Sequence, residues 1–214
     1  MPKSMLISGA STGIGKALSL ELDRQGYQVF AGVRNSNDAD VRRSQASPQL
    51  TPVILDVTIP ETISTTCREL SEKTGGELFC LVNNAGISIS GALEFMPLQD
   101  FRQQMEVNLV GQLALTQACL PMLRRAAGRV VFVSSVSGRL ATPFNGPYAA
   151  SKAALVALRN LRRIDLHEVE ARRQGFLVRI PERQHVGVRL VALLFHRELP
   201  LAHQVGFPRA EIPP

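Results

Sequence analysis

The first 158 residues alternate short apolar runs with segments in which apolar side chains recur every three to four positions. The apolar runs predict β-strands, and the recurring pattern, as in Ile14, Leu18 and Leu22, predicts α-helices. Most of the strand segments are apolar along their whole length, which is typical of parallel strands covered by helices on both faces. We therefore predict an α/β fold built on a doubly wound parallel sheet.

The predicted strands and helices alternate regularly up to the last helix. Strands are predicted at residues 3–8, 27–33, 51–57, 77–83 and 128–134; helices are predicted at 14–24 and 61–73, once or twice within 97–125, and from 147 onward. Gly26 is predicted to end the first helix. No internal repeat or linker marks a second domain.

The regular pattern ends near residue 159. Residues 159–214 contain ten arginines, no lysine, six acids and all four histidines, whereas residues 1–158 carry 14 basic and 12 acidic residues. A charged helix up to Arg173, a strand at Gly175–Ile180 and an apolar segment of undecided type at Val186–Phe195 are predicted. We predict a domain of residues 1–158 followed by an atypical basic segment, residues 159–214, which either belongs to the same domain or is partly irregular.

Composition indicates a globular chain in a reducing compartment. The three cysteines are odd in number and lack C-x-x-C spacing, which argues against a disulfide framework and a zinc site. The net charge of +6 lies mostly after residue 158, without interleaved aromatics or a nucleic-acid motif, so a solvated tail is favoured over nucleic-acid binding. No apolar run approaches the roughly 18 residues of a membrane span. We predict a soluble, cytoplasmic protein without a metal.

A glycine-rich loop, S-G-A-S-T-G-I-G, follows the first predicted strand and opens the first helix. Gly9 permits a tight turn, Gly13 lets the backbone approach a phosphate, and Gly15 allows close packing, while the helix N-terminal amides can bind a pyrophosphate. The spacing is G-x-x-x-G-x-G, and a plain strand-to-helix turn is the alternative. The residues predicted to bind a dinucleotide here are Gly9, Ser11, Thr12, Gly13, Ile14 and Gly15.

Arg34 follows the second predicted strand. A carboxylate at this place would bind the adenosine ribose diol and repel a 2′-phosphate, whereas an arginine can pair with that phosphate through two hydrogen bonds. NADP(H) is therefore favoured over NAD(H), with an ordinary surface arginine as the alternative.

Tyr148 and Lys152 lie four residues apart in the last predicted helix and project from the same face. A cation beside a phenol favours the phenolate, which makes Tyr148 usable as an acid and a base near neutrality. An ordinary surface pair is the alternative for an isolated Y-x-x-x-K. Here the pair follows N-N-A-G at residues 83–86, Asn108 within a helix and Ser135 at a strand end.

Taken together and in order, these motifs resemble the short-chain dehydrogenase/reductase family. The matching series is the S-G-A-S-T-G-I-G loop, Asp56-Val57, N-N-A-G, Asn108, Ser135 and Y-x-x-x-K, over residues 3 to about 158. The resemblance implies a Rossmann fold and oxidoreductase activity. The V-F-A-G-V-R and F-V-S-S-V-S-G stretches resemble the branch that acts on hydroxysteroids, retinoids and related lipophilic alcohols.

The resemblance also implies a role for each matched residue. Tyr148 exchanges a proton with the substrate oxygen, Lys152 assists it and holds the nicotinamide ribose, and Ser135 orients the substrate oxygen. Asn108 retains a water that links Lys152 to solvent. Asp56 binds the adenine amino group beside Val57, and Asn83, Ala85 and Gly86 border the adenosine.

The resemblance fails after Lys152. The family supplies a strand that ends in Pro-Gly and closes over the nicotinamide, whereas Glu182 follows Pro181 here. We hypothesise that the reading frame or exon usage changes near residue 159. Two functions stay open: an NADP(H)-dependent oxidoreductase of a small lipophilic secondary alcohol or ketone, with homo-oligomers compatible, or a non-catalytic variant that retains dinucleotide binding.

Overall fold

The computed structural model describes the backbone of residues 2–165 and the side chains of residues 2–158. A π-helical turn at Glu106–Val110 joins two of the helices, and short 3₁₀ turns lie at Leu93–Phe95 and Val136–Gly138. The strands and helices in chain order are β1 Ser4–Ile7, α1 Gly13–Arg24, β2 Gln28–Val33, α2 Ser36–Ser44, β3 Leu50–Ile54, α3 Pro60–Thr74, β4 Cys80–Asn83, α4 Leu98–Met105, α5 Gly111–Arg125, β5 Arg129–Phe132 and α6 Gly146–Asp165.

The five strands form one parallel sheet in the order β3-β2-β1-β4-β5. The chain starts at the central strand β1, runs outward to β3, and then crosses to β4 on the other side of β1. This reversal leaves a crevice at the carboxyl ends of β1 and β4, where open α/β sheets bind ligands. The prediction of a doubly wound parallel sheet is confirmed.

The core lies between the sheet and the helices α3 and α5. Leu6 and Phe30 of the sheet pack there with Leu70 of α3 and Leu115 of α5, and all four side chains are fully buried. The apolar character of β1 and β4 on both faces follows from this burial, since every residue of the two strands is buried. The carboxyl edge of the sheet is therefore held on a rigid base.

The structure contains one helix that the sequence pattern did not predict, α2. Its residues are mostly polar, and only Ala39 and Arg42 are buried, so no apolar repeat marks it. Asn35 caps the helix by accepting a hydrogen bond from the Asp38 backbone N–H at 2.8 Å. The strand predicted to reach Val57 ends at Ile54.

Several sequence predictions lie outside the described residues. These are the continuation of the last helix beyond Asp165 to Arg173, the strand at Gly175–Ile180 and the apolar segment at Val186–Phe195. The division of the chain at residue 158 therefore stays a prediction. Within the part of the chain that the structure describes, no helix combines the length and the apolar character needed to cross a membrane.

Candidate active site

The glycine-rich loop is hydrogen-bonded to the segment that follows β4. The side-chain Nδ2 of Asn84 donates to the backbone carbonyls of Ser8 at 3.0 Å and Gly9 at 2.9 Å. In return, the Ser8 hydroxyl accepts the backbone N–H groups of Asn84 and Ala85, both at 3.0 Å. Gly9 has φ +66°, and a Cβ at this position would lie 2.8 Å from the Cα of Ala85. Only glycine permits this approach, so the two motifs form one surface.

The N-terminus of α1 opens toward solvent at this surface. Thr12 precedes the helix in an extended conformation, its side chain makes no capping hydrogen bond, and no acid lies in the first turn. Gly13 is exposed, and apart from its chain neighbours and the backbone of its own helix, none of the described atoms lies within 4 Å of where its Cβ would be. The uncapped amides and the helix dipole favour an anion. The loop therefore has the backbone geometry that suits a pyrophosphate, and the binding roles of residues 9–15 stay predictions.

The buried ammonium group of Lys152 lies on the side of β4 opposite the glycine-rich loop. Lys152 is 4% exposed, and its Nζ donates to the backbone carbonyl of Val133 at 2.9 Å and lies 5.6 Å from the centre of the Tyr148 ring. Burial lowers the pKa of Lys152 to about 8. The ion pairs found among the described side chains do not include it. Lys152 is thus a covered cation beside the Tyr148 phenol ring.

Asn108 is held in the π-helical turn by three hydrogen bonds. Its Nδ2 donates to the Ile87 carbonyl at 2.9 Å and to Ser151 Oγ at 3.0 Å, and its Oδ1 accepts the Ile87 N–H at 2.8 Å. A Cβ at Gly86 would lie 3.2 Å from Asn108 Oδ1 and 3.4 Å from Lys152 Nζ. The structure therefore brings Asn108 and Lys152 together at Gly86.

Ser135 follows β5 and caps the 3₁₀ turn at Val136–Gly138. Its Oγ accepts the Ser137 N–H at 3.2 Å, which leaves its own O–H able to donate to a ligand. The turn packs against α6, which carries Tyr148 and Lys152 one turn apart, and Ser134 Oγ donates to the Lys152 carbonyl at 3.0 Å. The elements that carry Ser135, Tyr148 and Lys152 are in direct contact.

Comparison with known families agrees with this arrangement. A family model described as short chain dehydrogenase matches residues 3–172. The chain belongs to the short-chain dehydrogenase family. The membership predicted from the motif series is confirmed.

Relatives of this short-chain dehydrogenase include enzymes of the predicted branch. Retinol dehydrogenase 16 of Mus musculus is 42% identical over 166 residues, which cover 77% of this chain and 52% of the mouse protein. The 17-beta-hydroxysteroid dehydrogenase type 6 of Bos taurus is 39% identical over 166 residues, with the same two coverages of 77% and 52%. The chain therefore spans about half the length of these curated relatives.

A solved structure of ElxO with NADP bound shares the fold. It matches with a TM-score of 0.72 and 28% sequence identity, covering 78% of this chain and 68% of the ElxO chain. The Rossmann-type sheet of this short-chain dehydrogenase is thus common to a member whose structure contains a dinucleotide.

The residues predicted to border the adenosine lie at the end of β4 and on the loops that follow β2, β3 and β4. Arg34 is exposed directly after β2. One carboxylate oxygen of Asp56, Oδ1, accepts the Thr58 N–H at 2.9 Å and the Thr58 O–H at 2.7 Å, and Val57 is buried. Asn83 is buried, and its Nδ2 donates to Thr116 Oγ1 of α5 at 2.8 Å. The roles of these residues in binding stay predictions.

Three residues of this site were not predicted from the sequence as site residues: Ser8, Asn84 and Arg42. Ser8 and Asn84 make the contact between the glycine-rich loop and the end of β4, and both stand next to residues that were selected. Arg42 of α2 donates from Nη2 to the Ser11 carbonyl at 2.9 Å. This contact joins residues 31 positions apart, and no local sequence signal points to it.

Two exposed apolar loops follow β4 and β5 at the same edge of the sheet. They are joined by a hydrogen bond from the Gly91 N–H to the Phe144 carbonyl at 2.9 Å. Leu93 and Phe95 are each 78% exposed, and Phe144 is 66% exposed. These side chains form an exposed apolar surface at the carboxyl edge.

We expect the buried charge of Lys152 to reduce stability below pH 8. At pH 7 Lys152 is charged in both the folded and the unfolded state, so the folded state bears the full cost of burying the charge. Between pH 8 and 10.5, the pKa of the unfolded state, the folded protein has already lost this proton and the unfolded chain has not, so the cost decreases as the pH rises. Over this pH range, the free energy of unfolding of the wild type should rise by about 3 kcal/mol more than that of Lys152→Met.

Urea unfolding at pH 7 and pH 10.5 measures this difference. Lys73→Met, which replaces an exposed lysine near the end of α3, is the matched control and should change in parallel with the wild type. A constant difference between the wild type and Lys152→Met across the two pH values would contradict the assignment.

Proposed function

We propose that the chain binds NADP(H) in preference to NAD(H) at the carboxyl edge of the sheet. The uncapped N-terminus of α1 and the open backbone at Gly13 support binding of the pyrophosphate. The exposed Arg34, in the place where a carboxylate would select NAD(H), supports binding of a 2′-phosphate. The NADP in the related ElxO structure agrees with this preference.

We propose further that the site transfers a hydride between the nicotinamide and a secondary alcohol or ketone, with the hydride chemistry supplied by the cofactor. The observation that carries this proposal is the buried Lys152 ammonium beside the Tyr148 ring. The Tyr148 phenol, which lies beside this cation, gives a proton to the substrate oxygen and takes it back. The Ser135 O–H donates to the same oxygen and orients it.

The substrate in this proposal is a small lipophilic molecule of the steroid or retinoid class. The exposed Leu93, Phe95 and Phe144 support it, because an apolar ligand would remove these side chains from water. The names of the mouse and bovine relatives point to the same class. A cytoplasmic location and assembly into a homo-oligomer belong to the same proposal.

A second candidate function is dinucleotide binding without turnover. The family match ends at residue 172, and Glu182 stands where the family pattern has the glycine of Pro-Gly. Residues that would enclose the nicotinamide are expected in this part of the chain. Binding of the adenosine half depends on the glycine-rich loop and the loop after β2, so it can persist when the nicotinamide is poorly held.

Replacing Arg34 by Asp should weaken NADPH binding by more than tenfold and spare NADH, because the carboxylate repels a 2′-phosphate and accepts a ribose diol. Titration of both cofactors by nucleotide fluorescence measures the two dissociation constants. Arg68→Asp, on the exposed face of α3, makes the same change in net charge and should leave both within about twofold. Equal losses for the two cofactors would refute the preference.

Replacing Tyr148 by Phe keeps the ring and removes the proton donor. Turnover of a lipophilic ketone should fall by at least about 100-fold, with the dissociation constant of NADPH nearly unchanged. Tyr27→Phe, which alters the other tyrosine of the chain, is the control and should retain activity. Full activity of Tyr148→Phe would remove this residue from the chemistry, and NADPH binding by an inactive wild type would favour the second candidate.

A further inference from the structure

The buried guanidinium of Arg42 contacts the glycine-rich loop. The residue is 1% exposed although it lies near the surface of the domain, on the short helix α2. Its Nη2 donates to the Ser11 carbonyl at 2.9 Å, and its Nη1 donates to Gln45 Oε1 at 3.2 Å. The two-pronged guanidinium contacts both acceptors at once, so Arg42 joins the backbone of Ser11 to α2.

The charge of Arg42 is poorly compensated within the described part of the chain. Its Nε is buried there without a hydrogen-bond partner, and none of the ion pairs found includes it. The neighbouring Arg43, in contrast, pairs with Asp40 at 2.7 Å on the exposed face of α2. Burial lowers the pKa of Arg42, an effect that the nearby Asp38 carboxylate opposes.

A covered cation with no paired carboxylate is costly to the folded protein, and the cost falls when an anion comes near. The nearest structural candidate for an anion site is the loop that Arg42 holds. Ser11 immediately precedes Thr12 and the uncapped N-terminus of α1, while Arg34 lies at the start of the connection that leads into α2. Two arginines therefore flank the region proposed for the adenosine phosphate.

We propose that Arg42 is a positioning residue for the dinucleotide. Arg42 holds Ser11 in place, and its positive charge adds to that of Arg34 in favour of a ligand with a phosphate on the adenosine ribose. The inference rests on the proposed function and extends it to a residue that makes no direct contact with the ligand. Its effect is electrostatic and conformational, and it should be larger for NADPH than for NADH.

The test compares Arg42→Met with Arg43→Met. Both remove one positive charge from the same helix, and methionine keeps the unbranched apolar stem, but only Arg42 contacts the loop. Isothermal titration at low and high salt gives the dissociation constants of NADPH, NADH and 2′,5′-ADP, and thermal unfolding without nucleotide gives Tm. Arg42→Lys separates charge from geometry, because lysine keeps the charge and loses the two-pronged contact.

We expect Arg42→Met to weaken NADPH and 2′,5′-ADP by at least about tenfold and NADH by less, to reduce the salt dependence of NADPH binding, and to keep or raise Tm. Arg43→Met should change each affinity by less than about twofold, and Arg42→Lys should bind NADPH with intermediate affinity. Equal losses for NADPH and NADH together with a lower Tm would show a purely structural arginine and overturn the inference. Unchanged affinities would overturn it as well.

The wild-type titrations distinguish this inference from the proposed function. If the wild type binds NADPH and Arg34→Asp weakens it while Arg42→Met does not, the inference fails and the proposed function stands. If the wild type binds none of the three nucleotides, the proposed function fails, and the inference fails with it.

Discussion

The hydrogen bonds between Asn84 and the glycine-rich loop are the contact on which the candidate site depends. One side-chain amide holds the carbonyls of Ser8 and Gly9, and the Ser8 hydroxyl holds two backbone N–H groups after β4. These bonds connect the two central strands at the point where the strand order reverses. They also explain why Gly9 must lack a Cβ, since the loop and Ala85 meet backbone to backbone. The uncapped N-terminal end of α1 and the Gly86 region thus become parts of one surface.

Two buried cations lie at the two sides of the site. Lys152 is buried near Tyr148, and Arg42 is buried behind Ser11, and neither belongs to an ion pair among the described residues. A protein that maximised its own stability would expose or pair these charges. Their retention is understandable if the charges act on a phenol and on an anionic ligand, because functional sites commonly give up stability for chemistry. The apolar loops after β4 and β5 likewise leave Leu93, Phe95 and Phe144 exposed to solvent, which is costly in the free protein.

The sequence pattern predicted the elements with strong apolar periodicity and missed those without it. Continuous apolar runs predicted the five strands, and apolar residues at helix spacing predicted α1. Helices were also predicted at the positions of α3 and α6, and once or twice within residues 97–125, where the structure has α4 and α5. Helix α2 was missed because Ser36–Ser44 is polar, although Asn35 followed by Asp38 is a capping signal. The π-helical turn around Asn108 adds no change in composition and leaves no trace in the pattern. The Y-x-x-x-K spacing identified Tyr148 and Lys152 from sequence. Asn84 contacts a residue 76 positions away and Arg42 a residue 31 positions away, and only the fold brings these partners together.

The central claim, that the loop after β1 and the segment after β4 bind a dinucleotide as one unit, is tested most directly by hydrogen exchange. Amide exchange of the full chain would be measured with and without NADPH. If the two segments bind as one unit, NADPH slows exchange in residues 9–16 and 84–87 together, while α3 at residues 60–74 exchanges at its original rate. Slowing in the glycine-rich loop alone, or slowing centred on α3, would contradict it.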